Sequence, residues 1–287
     1  MENFNKIWRA FFAIMLIAIA VQQLVCADFR PVILPPNYPS WLADRIAWTW
    51  VASLVMIAAN GAILFEYNGR KIALIMADIF FVMLLAFHIP YCKSAGGLQS
   101  IQNIGVWGNA FKLLVLSGGA YIVAGTFKRE PNESKLVMFS GYLIPLGKYF
   151  FCTTMIVFGA EHFIYNKFVV DLIPHWIPWP FFWTDFAGVA LMLSGLAIAG
   201  NSLLILAFPN LPNSPRRYAA FLLGVAIFSW FIVLHIPRAI ADPHSGNGNE
   251  WTSVFEAFGF SGIAFILSGR IGKKHAINQA EDRLVTA

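Results

Sequence analysis

The side chains able to do chemistry are few, and they sit inside apolar stretches. Glu161 and His162 stand side by side in one stretch, and Asp185, His235 and Glu256 each occupy another. In the first half Gln22, Gln23, His88 and Lys112 have comparable settings, with Arg45 and Asn109 at a similar level. An ionisable group in hydrocarbon costs roughly 3 kcal/mol on insertion scales, so each needs a partner or a task. A histidine beside carboxylates can hydrogen-bond a carbonyl headgroup while a carboxylate takes up a proton. The same residues can instead pair with one another and hold helices together, as Glu256 could with Arg238 or His235. Both readings stand at this point. His162 with His235 is the one histidine pair suited to a haem, and no Glu-x-x-His spacing supports a metal site, so no metal is expected.

The elements that carry these residues follow from composition. The chain has 287 residues, 58% hydrophobic and only 12% charged. A soluble domain carries about 25% charged residues to wet its surface, so lipid must solvate much of this one. The 10 Trp suit rings that anchor helix ends at headgroup level. Crossing the roughly 30 Å hydrocarbon core takes about 20 apolar residues. Stretches that qualify lie at 8–26, 46–65, 72–92, 105–125, 139–165, 184–207, 218–237 and 252–269, which predicts an all-α transmembrane protein of eight helices. The breaks between them are short, polar and turn-forming, as Glu66-Tyr67-Asn68-Gly69 shows.

Positive charge orients the spans. Lys6, Arg9, Arg70, Lys71, Lys128, Arg129, Lys135, Lys148, Arg216, Arg217, Arg270, Lys273, Lys274 and Arg283 fall on one side, and only Arg30, Arg45, Lys93, Lys167 and Arg238 on the other. Basic residues stay cytoplasmic, so both termini are expected inside and the net charge of +5 reflects topology rather than nucleic-acid binding. Arg216-Arg217 and the Arg270 to Lys274 run read as topology and anionic-lipid contacts. With no CxxC pair among three cysteines, no redox motif is expected, and a Cys26–Cys92 bridge stays open.

The two halves resemble each other in order. Arg9 aligns with Lys148, and the same offset aligns Gln22-Gln23 with Glu161-His162 and Pro35 with Pro174. Phe87-His88-Ile89-Pro90 reads against Leu234-His235-Ile236-Pro237, and Leu116-Ser117-Gly118-Gly119 against Phe260-Ser261-Gly262-Ile263. Lys112 and Glu256 fall at nearly equivalent places, and a contact between them is expected across the halves. Two parallel four-helix repeats result, 1–135 and 136–271, followed by a cytoplasmic tail at 272–287. Span one aligns with an internal span, so it is expected to be retained rather than cleaved. Each half also has a Pro- and Trp-rich segment, 29–41 and 172–183, expected to lie on the outer interface, with a lid over a cavity as the alternative.

The second half resembles the DoxX-like family of bacterial integral membrane proteins. The residues that carry the likeness are Lys148, Gly159-Ala160-Glu161-His162-Phe163, Ile173-Pro174-His175-Trp176-Ile177-Pro178, Phe186-Ala187-Gly188-Val189 and Arg216-Arg217. A typical member is one four-helix unit, so the chain looks like a fused tandem. The acidic residue such proteins often carry shortly after the glycine of span two is missing after Gly188. The resemblance implies a multi-pass protein of the bacterial inner membrane that serves as a subunit or scaffold of a quinone-linked redox system, with quinone as cofactor and a redox protein as partner. No nucleotide fingerprint or hydrolase signature supports a self-contained enzyme. The alternative function is a transporter or binder of a small apolar or lipid-like molecule.

Overall fold

The computed structural model describes residues 2–36, 39, 41–200 and 214–285, with Ser214 and 270–285 as backbone only. All regular structure among them is helical. We label the main helices α1 (Glu2–Cys26), α2 (Arg45–Leu64), α3 (Gly69–Ser94), α4 (Ile101–Ala124), α5 (Ile144–Ile164), α6 (Pro180–Ala199), α7 (Pro215–Ala241) and α8 (Asn249–Val285). Seven are long and apolar enough to cross a membrane. The short helix Lys135–Tyr142 and α5 make an eighth span if taken together. The chain is thus a multi-pass helical membrane protein. The expected end of span six, 201–207, lies outside the described residues. The backbone of 272–285, within the expected tail, continues the helix of α8.

The continuous span expected over 139–165 is broken by a 44° bend between Lys135–Tyr142 and α5. Pro145 supplies the reason. It has no N–H, and its ring clashes with the carbonyl four residues back, so it can sit only in the first turn of α5.

Proline shapes α3 and α7 in a second way. Each carries a π-helical turn, Leu84–His88 and Phe231–His235, directly before an Ile-Pro pair. The Ile89 N–H reaches back to the Leu84 carbonyl, and the Ile236 N–H to that of Phe231. Widening the turn to i→i−5 accommodates the proline ring without ending the helix. Both turns end on a histidine.

Each helix packs on its neighbours in sequence, and α8 closes onto α1 to complete a ring. α4 and α8 also touch through the middle, and 61% and 78% of their apolar windows are buried, against 22% for α7. Outward faces stay apolar, with Val51, Leu54, Val82, Leu193 and Leu222 exposed where lipid would solvate them.

Glycines set how closely the inner helices approach. A Cβ on Gly118 of α4 would stand 2.8 Å from the Gly147 carbonyl oxygen of α5, and one on Gly147 would stand 2.5 Å from that of Gly118. On α8, a Cβ on Gly262 would stand 3.0 Å from the Trp8 carbonyl oxygen of α1. Gly159 and Gly188 make the same kind of crossing between α5 and α6. Backbone contact of this kind is how apolar helices gain packing energy in lipid, where no hydrophobic drive separates them from solvent.

Candidate functional site

Two of the candidate side chains meet near the end of the bundle where α4 and α8 begin, and two more lie within range of the charge there. The Lys112 Nζ of α4 lies 2.7 Å from Oε2 of Glu256 on α8, and the Glu256 side chain is almost wholly buried. The same ammonium lies within electrostatic reach of Glu161 on α5 and His235 on α7. Three buried polar atoms of these residues have no hydrogen-bond partner among the described residues: Glu161 Oε1, Glu256 Oε1 and His235 Nδ1. Buried polar atoms are nearly always paired, so these three carry unused hydrogen-bonding capacity. Helices of both halves build it, because α4 and α8 are the central pair.

The expected contact between Lys112 and Glu256 is therefore present, and other expected pairings are not. Glu256 does not pair with Arg238, which reaches Glu250 at 2.6 Å near the start of α8. Asp185 is exposed and accepts a hydrogen bond from Asn166 Nδ2 at 2.8 Å, away from the cluster. His162 turns back along its own helix, where its Nδ1 meets the Phe158 carbonyl at 2.7 Å, and its Cβ lies against Gly188 of α6. Successive residues on a helix point about 100° apart, so adjacent Glu161 and His162 cannot both face α4.

Apart from Lys112, the first-half candidates Gln22, Gln23 and His88 are taken up by structural bonds. Gln22 Nε2 donates to the Gly248 carbonyl at 2.6 Å, and its Oε1 accepts from Thr252 Oγ1 at 2.7 Å, tying α1 to α8. The buried Gln23 donates to Ser53 Oγ at 2.9 Å and accepts from the Arg30 N–H at 3.1 Å. His88 Nε2 lies 3.3 Å from the Ile33 carbonyl oxygen.

These last bonds involve the first-half Pro- and Trp-rich segment, for which the outer interface and a lid over a cavity are the two expectations. In the first half Phe29, Arg30, Val32, Ile33 and Leu34 are all buried, so they plug their end of the bundle. Arg30 locks the plug, donating to the Asn247 carbonyl at 2.8 Å and to Cys26 Sγ at 3.2 Å. Asp28 adds a 2.7 Å ion pair to Arg45. In the corresponding second-half segment Trp176, Trp179 and Phe181 are exposed. Sequence reasoning did not single out Arg30 for this role. Its signal was a lone arginine in an otherwise apolar, proline-rich run. Cys26, Cys92 and Cys152 are all free thiols, so Cys26 and Cys92 are not bridged.

Asp78 of α3 forms a smaller polar group towards the other end. It accepts from Tyr121 Oη at 2.6 Å and from Ser140 Oγ. Among the described residues no three of His, Cys, Asp and Glu converge as a metal site would require.

Compared with known proteins, the chain matched no family model, no curated protein and no solved structure.

Proposed function

We propose that the chain is the membrane subunit of a quinone-linked redox system, and that the cluster around Lys112 seats the carbonyl headgroup of its ligand. The observation that carries this reading is the set of three unused buried polar atoms on Glu161, Glu256 and His235, within range of the half-buried Lys112 ammonium. A headgroup with two oxygens on an apolar ring could take an N–H from Lys112 and exchange protons with Glu161 or His235. Bound quinone supplies the redox chemistry, taking up two electrons and two protons. The protein residues orient the ring oxygens and hold or release a proton at Glu161 Oε1 and His235 Nδ1. An apolar recess of about 300 Å³ lined by Ile101, Ile104, Trp107 and Phe111 lies at the same end of α4, which suits an amphipathic ligand.

The resemblance of the second half to DoxX-like proteins supports this setting in a bacterial inner membrane, with both termini cytoplasmic and a redox protein as docking partner. Several observations support the reading of two four-helix repeats. The two π-turns fall at matching His-Ile-Pro sequences. Gly118 abuts Gly147 and Phe150, while its counterpart Gly262 abuts Trp8 and Phe11, the residues that align with that pair.

Extraction of lipids from the gently purified protein tests the site. Quinone should co-purify with the unaltered chain and fall at least about tenfold in Glu161→Gln and His235→Ala. Equal quinone content in these variants, or its absence from the unaltered protein, overturns the proposal. A tail-bearing molecule without carbonyls in its place would favour the binder or transporter.

A further inference from the structure

At the end of the bundle remote from Lys112, a polar cavity of about 540 Å³ opens where α1 begins, α2 turns into α3, and α4 gives way to its following loop. Arg9 lies in its wall and is only 3% exposed. One amino group of Arg9 reaches the Glu66 carboxylate, the other donates to Thr126 Oγ1 at 3.3 Å, and the guanidinium lies 4.2 Å over the Phe127 ring. The Arg9 Nε is buried and has no acceptor among the described residues.

The ion pairs around this cavity share their carboxylates. Glu66 serves both Arg9 and Lys6, and Glu133 serves both Arg70, at 2.6 Å, and Arg129, at 3.4 Å. Two carboxylates against four cations leave positive charge unmatched within these pairs, and Lys128 adds another at the rim. The exposed Glu2 and Glu130 also line the wall and oppose this charge, so that five cations face four carboxylates among the described residues. An N–H donor without an acceptor, backed by unmatched guanidinium charge, is what a phosphate oxygen satisfies. The cavity also lies at the helix ends, the level at which lipid headgroups sit.

We propose that this cavity binds a phosphate group, supplied by the headgroup of an anionic phospholipid. Arg9 Nε–H would donate to one phosphate oxygen, and Lys128 and Arg129 would close over the others. This site is separate from the cluster at Lys112 and does not depend on what binds there.

Thermal unfolding of the full chain in detergent, titrated with phosphatidylglycerol, phosphatidylcholine or glycerol 3-phosphate, tests the proposal. Phosphatidylglycerol should raise the midpoint in a saturable way and phosphatidylcholine should not. Arg9→Lys keeps the charge facing Glu66 but lacks the Nε–H, and should weaken the apparent affinity about tenfold. Lys128→Gln with Arg129→Gln alters exposed rim residues only, should fold normally, and should weaken it by a similar factor. Should glycerol 3-phosphate reproduce the shift with the same dependence on the variants, the phosphate site stands and its source is soluble. Equal shifts with both lipids, or a phosphatidylglycerol shift unchanged in both variants, overturn it.

Discussion

Lys112 of α4 and Glu256 of α8, the two central helices, meet at 2.7 Å near the end of the bundle where both helices begin. On the two-repeat reading, equivalent residues can touch only where they straddle the axis relating the copies. In an assembly of identical units that position would bring like charges together, which a low-dielectric interior strongly disfavours. Two covalently joined copies can diverge there and place an ammonium against a carboxylate. Fusion and a buried ion pair at the axis are therefore mutually consistent.

Removing one partner should be worse than removing both. Lys112→Met or Glu256→Gln alone leaves a buried group with less of its pairing and should cost about 3–5 kcal/mol. The charge swap of Lys112→Glu with Glu256→Lys should recover much of that loss. A double-mutant cycle on unfolding in detergent measures the coupling, and additive single effects would show that the contact contributes nothing.

The glycine crossings predict a sharp contrast between substitutions of the same type. Gly147→Ala places a methyl 2.5 Å from the Gly118 carbonyl oxygen, so the two helices must move apart, at about 1–3 kcal/mol. Gly61→Ala on α2 meets nothing within 4 Å and should be neutral or stabilise by about 0.5–1 kcal/mol. Midpoints of thermal unfolding for the two variants, compared side by side, check this.

Opening the first-half plug should expose a thiol. Cys26 is half-buried and held by Arg30, while Cys92 and Cys152 are buried. Arg30→Ala removes the bonds to Asn247 and Cys26, so maleimide should label Cys26 several-fold faster. Labelling at an unchanged rate would mean that the segment is held by its apolar contacts alone.

Tyr121→Phe deletes one of the two hydroxyls that Asp78 accepts from and should cost about 1–3 kcal/mol, because a partly buried carboxylate loses a donor. Ser140→Ala should cost a similar amount. In Asp78→Asn, which keeps an acceptor oxygen, the effect of Tyr121→Phe should shrink. Unfolding midpoints of the single and double variants measure it.

Much of the architecture is readable from residue types, because lipid imposes a simple rule. A span must be long, apolar and helical, so charge-poor stretches and proline- or glycine-bearing breaks mark the helices. Pro145 even carried the signal for the bend at Leu143, since a proline cannot sit in a helix interior. The level of Glu161, His235 and Glu256 along their helices also follows from counting residues.

What composition and spacing could not supply is direction around each helix. Glu161, His162 and Asp185 share a level, yet only Glu161 is left without a hydrogen bond at a buried oxygen, while His162 and Asp185 are taken up by Phe158 and Asn166, because rotation about an axis is set by which neighbour packs on which face. The glycine contacts that set those faces join α4 to α5 and α8 to α1 across the halves, and no local pattern encodes such pairings. The contrast between the buried plug at 29–34 and the exposed segment at 172–181 is tertiary for the same reason. Two similar proline-rich runs differ in whether Arg30 finds a buried acceptor at Asn247, a partner more than two hundred residues away.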